Sequence, residues 1–204
     1  MPHRALAAIV VAGLLAACGR DVPPVPPEAR DQQPQGAPTR TWLGKGRITV
    51  DVLGRRLSAR GIVRSLPDGQ SRMAILSDEG LLLLDLRTIP PTADGTWYVV
   101  ESRVDAVKDA EPHLARLLLH AIGHPVEGPH AWDDGVLVAP TRWGDRLYGG
   151  DPVMLHRVEG DGLDLLIGDW RPLPDGSLVP HSMRLQGPLG LDVHLHLTEA
   201  APAP

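Results

Sequence analysis

One cysteine, nine histidines and a few paired carboxylates are the groups in this chain that could do chemistry. Cys18 is the only soft nucleophile, suited to alkylation. His120 and His124 stand four apart, with His113 a turn or two earlier. On a helix, His120 and His124 would share a face and could hold a metal ion. Gly123 and Pro125 break that helix, however, no His-Glu-x-x-His pattern is present, and Glu127 lies beyond the break. A histidine near a helix C-terminus is also favoured by the helix dipole. His194 and His196 alternate with Val193, Leu195 and Leu197, which places them on the solvated side of a strand. His130, Asp133 and Asp134 read as a hydrated loop. His181 shares its parity with Met183 and Leu185. It either hydrogen-bonds at a strand start or faces inward, towards a lipid ester or headgroup. There is no Gly-x-Ser-x-Gly elbow, and Gly149-Gly150 lacks a phosphate-loop pattern. The expectation is a non-enzymatic protein with no cofactor and no metal site.

The setting of Cys18 carries more information. His3 and Arg4 open the chain, an apolar run covers 5–16, and Leu15, Ala16 and Ala17 lead into the cysteine. This is the pattern of a secretory signal. A run of roughly 12 apolar residues is too short for a bilayer, which needs about 20. Leu15-Ala16-Ala17-Cys18 resembles the lipobox of bacterial lipoproteins. The resemblance implies cleavage after residue 17, thioether lipidation of Cys18 and acylation of the new amino terminus. Gly19 stands where an aspartate would favour inner-membrane retention, so an outer-membrane, lipid-anchored protein facing the periplasm is expected. The chain holds 20 Lys and Arg against 25 Asp and Glu. That balance argues against nucleic acid and against electrostatic adhesion to anionic lipid. The membrane link is then the covalent lipid.

Stepping along the chain, 18–40 are rich in Pro, Gln and Gly and show no apolar period. They read as a lipidated cysteine followed by a polyproline-like tether, with a reach on the order of 60 Å at ~3.1 Å per residue. The folded domain is expected over 41–199 and a disordered Ala-Pro tail over 200–204. Alternation predicts strands over 47–52, 56–64, 71–76, 81–86 and 96–100. With Asp85 outward, the period of two turns Leu82, Leu84 and Leu86 inward. A helical turn is expected near 102–107. A helix capped by Asp109 follows, with Pro112 in its first turn and an apolar stripe of Leu114, Leu117, Leu118 and Ala121. Residues 125–145 read as loop. Four more strands are expected over 153–159, 163–170, 178–186 and 191–198. Tight turns between successive strands mean an antiparallel meander. The fold class is mainly β (α+β): a curved antiparallel open β-barrel of about 8–11 strands, with the helix packed over its concave face.

The stretch 169–185, Asp-Trp-Arg-Pro-Leu-Pro-Asp-Gly-Ser-Leu-Val-Pro-His-Ser-Met-Arg-Leu, is similar to the late hairpin of the Lol-type fold of LolA and LolB. Leu191-Asp192-Val193-His194-Leu195-His196-Leu197 resembles the final strand of that fold. The resemblance covers about 41–199. It also extends to a related group of short bacterial lipoproteins, some encoded beside aryl-polyene biosynthesis genes. It implies an apolar cavity that accepts acyl chains, with a lipid or lipoprotein as ligand and a periplasmic carrier protein as a further partner. The candidate lining is Leu82, Leu84, Leu86, Leu114, Leu117, Leu118, Met183 and Leu185. The same side chains would also make an ordinary core. The protruding loop of LolB has its nearest counterpart in Asp78-Glu79-Gly80-Leu81, with Leu81 as the exposed residue. Three readings follow: an outer-membrane lipoprotein that binds or transfers an acylated molecule, a structural or assembly-factor lipoprotein with a protein partner, and, least favoured, a periplasmic hydrolase or metal-binding protein.

Overall fold

The computed structural model describes residues 22–35, 40–66, 70–90, 95–104, 110–122, 130–141, 143–160 and 162–203. The lipobox, Cys18, Asp109, Gly123 and Pro125 lie outside them. Twelve strands form one antiparallel sheet. In chain order they are β1 (Trp42–Val52), β2 (Arg55–Ser65), β3 (Ser71–Leu76), β4 (Leu82–Thr88) and β5 (Tyr98–Ser102), then β6 (Ala131–Asp133), β7 (Val136–Thr141), β8 (Gly144–Gly149), β9 (Met154–Gly160), β10 (Leu163–Pro172), β11 (Leu178–Gln186) and β12 (Asp192–Pro202). Helix α1 (Glu111–Ile122) separates β5 from β6. Every strand pairs with its sequence neighbours, except that β5 and β6 are edges and β1 pairs with β12. The sheet is therefore two meanders joined along β1–β12. Its curvature, with one α-helix among the described residues, is that of the open barrel expected from the sequence.

Alternation builds the inner face. Ile48 and Val50 of β1, Met73 and Ile75 of β3, Met183 and Leu185 of β11, and Val193, Leu195 and Leu197 of β12 are all buried in one cluster. Helix α1 lies against β3, β4 and β11. It adds Leu114, Leu117, Leu118 and Ala121 to that cluster, the stripe that the 3.6-residue period sets on one face.

Four expectations are corrected. First, residues 125–145 are not all loop, since β6, β7 and part of β8 fall there, and the strand count rises to twelve. Pro140 and the glycines that flank these short strands imitate turn chemistry. Second, Leu82 does not follow Leu84 and Leu86 inward. Ile75 pairs with Leu84 but Leu76 pairs with Leu82, so Leu83 is an extra residue in a β-bulge. Leu83 packs on the core, and Leu82 is left half-exposed. Third, the tail is ordered through Ala203: Trp42 pairs with Pro202, and the Ala203 N–H donates to the Thr41 carbonyl.

The fourth correction concerns the tether. Residues 22–35 are docked on the domain. The Val25 N–H donates to the Gly135 carbonyl at 2.8 Å, and the Gly150 N–H to the Pro23 carbonyl at 3.0 Å. Gln35 exchanges both main-chain hydrogen bonds with the start of β9, donating to Val153 and accepting from Leu155. A 3-10 turn at Pro27–Ala29 buries Ala29. Val25 and Ala29 join the main core, while Val22 packs with Val136 and Leu147. The segment runs so close to β8 that a Cβ on Gly149 would lie 2.0 Å from the Pro23 carbonyl oxygen.

Candidate functional site: the helix–sheet interface

The expected lining residues converge, with the exception of Leu82. Leu84, Leu86, Leu114, Leu117, Leu118, Met183 and Leu185 sit in one cluster, each no more than 1% exposed. Two strands far apart in the sheet, β4 and β11, supply Leu84 and Met183. Leu84 points inward because Asp85 is turned out to an ion pair with Arg72. Met183 points inward because it alternates with Ser182 and Arg184. The Arg72 guanidinium holds the Asp85 carboxyl below the usual carboxylate range.

The described side chains of this interface pack closely. The space that borders it among the described residues measures about 10 Å³ and lies between His120, Trp143, Val158, Leu163, Leu165 and Leu185. That is room for about one water, against roughly 300–1,000 Å³ for a small-molecule pocket. Of the expected lining, Leu185 alone borders it. Between α1 and the sheet the described side chains make an aliphatic contact.

A polar cluster marks the C-terminal end of α1. His120 is buried, with Nδ1 3.4 Å from Nη2 of the buried Arg146. Burial pushes the Tyr148 phenol up, and the neighbouring Arg146 opposes that shift. The Arg116 guanidinium lies 5.1 Å from the centre of the Trp143 ring. Trp143 in turn meets Trp97, and Trp97 packs edge-on against Tyr98. This chain of rings joins the β5 edge to the β7–β8 turn. Sequence reading missed it because Trp143 falls in the stretch read as loop. The one available signal was Arg146 and Tyr148 sharing a parity across the buried Leu147. His113, on the same helix, is pushed down by burial and by Arg116.

His181, His194 and His196 make their contacts elsewhere. The Nδ1 of His181 is 2.9 Å from the Leu197 carbonyl, to which it donates. His194 and His196 stand exposed on the outer face. Among the described residues no group of three or more His, Cys, Asp or Glu could hold a metal ion, and no helix is long and apolar enough to cross a membrane.

Leu81 is 68% exposed at the β3–β4 tip, where its N–H donates to Ser77 Oγ. Two further exposed leucines went unnoticed in the sequence. Leu53 stands in the β1–β2 turn and Leu189 in the β11–β12 connection. Pairing of Asp51 with both Arg56 and Asp192, and of Arg60 with Leu76, puts all three tips at one end of the sheet. Leu53 and Leu189 both take positive φ, a region that favours glycine.

No protein-family model and no curated protein matches the chain. Among solved structures it is similar to a LolA superfamily protein from Nitrosomonas europaea, with a TM-score of 0.50 at 9% identity over 83% of this chain and 89% of that one. An outer membrane lipoprotein-sorting protein domain from Vibrio parahaemolyticus gives 0.49 at 9% identity over 81% and 86%. A DUF1329 family protein from Desulfovibrio piger gives 0.49 at 12% identity over 84% and 87%. At such identities the likeness is one of fold, and the curved sheet with its inner helix is a LolA/LolB-like fold.

Proposed function

We propose that this chain is an outer-membrane lipoprotein, anchored through lipidated Cys18, that binds or transfers an acylated molecule between α1 and the sheet without catalysis. The observation that carries the reading is the aliphatic contact of Leu114, Leu117 and Leu118 with the inner face of a LolA-like sheet. An acyl chain presents the same chemistry as those side chains, and each buried methylene contributes ~0.8 kcal/mol. An incoming chain that takes the place of this contact displaces the helix. Leu81 is the exposed residue offered to a donor or acceptor, and a periplasmic carrier protein is the partner such traffic requires.

The mature chain from Gly19, exported with a cleavable leader, tests the ligand. Lipid extraction and mass spectrometry should find an acylated species near one per protein. A clean chain that also fails to take up an added diacylated lipopeptide would overturn the reading. Anchoring is tested separately: labelled palmitate should enter the full chain and be lost in Cys18→Ser.

The close packing of Leu114, Leu117 and Leu118 favours one second reading, a structural or assembly-factor lipoprotein acting through a protein partner. There the three leucine tips form the contact, and no lipid is taken up.

A further inference from the structure

We infer that the end of the sheet carrying the docked N-terminal segment is the face this protein lays against the bilayer that holds its lipid. The inference rests on the anchoring of Cys18 proposed above. A free tether over 18–40 would let the domain turn in any direction. The docked segment removes that freedom. Val22 is buried against Val136 and Leu147, and Pro23 is held by the Gly150 N–H at the β8–β9 turn. Only three residues, 19–21, separate Cys18 from Val22. Four Cα steps at ~3.6 Å hold Val22 within about 14 Å of the lipidated residue.

Register fixes which surface this is. Gly149 pairs with Met154, and Asp133 with Val136, so the β8–β9 and β6–β7 turns lie at the same end. Asp164 pairs with both Glu159 and Gln186, so the β9–β10 turn and the β11–β12 connection lie at the other. The seven residues of β9 between the two ends span about 23 Å. The near end carries Trp132, 41% exposed, with the Arg30 guanidinium 5.6 Å from its ring centre. An amphipathic indole beside a guanidinium suits the headgroup layer. Carboxylates at Asp133, Asp134 and Asp151 share this end, so attraction to anionic headgroups does not set the orientation. The length of the chain does. Leu189 is consequently turned away from the anchoring membrane.

The test uses the full lipidated protein in phosphatidylcholine vesicles. With Cys18 acylated, an introduced cysteine is the sole free thiol. A fluorophore is placed at Asp133→Cys in one variant and at Leu189→Cys in another, and quenching by nitroxide-headgroup lipid is read. Quenching at position 133 should exceed that at 189 at least threefold. Inserting ten Gly and Ser residues between Gly19 and Arg20, which leaves the domain untouched, should bring the two within twofold. Equal quenching without the insertion, on protein whose mass shows the lipid, overturns the orientation alone. A mass without lipid removes the anchoring reading and the orientation with it.

Discussion

The sheet is covered in two ways, and the contrast suggests which cover can open. Helix α1 closes the β3–β4–β11 side through Leu114, Leu117 and Leu118. The N-terminal segment closes the β6–β9 side through main-chain hydrogen bonds to Gly135, Gly150, Val153 and Leu155. An aliphatic contact can be replaced by an acyl chain at little cost, because one apolar surface substitutes for another. Backbone hydrogen bonds cannot, because an acyl chain offers no donor or acceptor to replace a lost partner. On the proposed function, the helix is the part a ligand would move and the N-terminal segment the part that would stay.

The sharpest break comes from the helix side. Leu117→Ala should cost about 2–5 kcal/mol, read by chemical denaturation, because the residue is fully buried and its neighbours collapse only partly. On the other side, Gly149→Val sets a side chain against the Pro23 carbonyl. We expect a loss of about 1–3 kcal/mol. Limited proteolysis should also cut within 22–35, where the wild type resists.

Acid should weaken both covers. Burial pushes His113 on the helix below its ordinary value, and it does the same to His156 beside the β8–β9 turn. Unfolding therefore takes up protons once pH drops below the unfolded value of about 6.5. Stability is intact above that pH and falls below it, until pH passes the folded values. Tm should decline between pH 7 and pH 5, and less so in His113→Gln and His156→Gln, each reporting its own cover. The smallest effect is expected at Leu81→Ser, within about 0.5 kcal/mol, because the side chain makes no core contact. A larger loss there would mean that the tip is structural.

The same contrast explains what could be read from the sequence. Side-chain periodicity revealed the helix stripe and strands such as β3, β11 and β12, where alternation is unbroken. It misplaced Leu82, because one bulged residue reverses parity and leaves no compositional trace. It missed the docked segment and the paired tail because main-chain hydrogen bonds hold them, and these a Pro- and Gly-rich stretch can still make. β6 has too few residues for a period to show, and the last four residues of β8 are buried without alternation. The burial of Leu84, Leu86 and the helix leucines was legible, and burial and lining demand the same residues. That identity is also why sequence could not distinguish a cavity from a packed core.

Hydrogen exchange on the mature chain, with and without a diacylated lipopeptide, tests the central claim most directly. The account predicts that the amides of α1 lose protection when the lipopeptide binds, while those of Val25, Gly150 and Leu155 keep theirs. Binding that leaves α1 fully protected, or that releases the N-terminal segment instead, would contradict it.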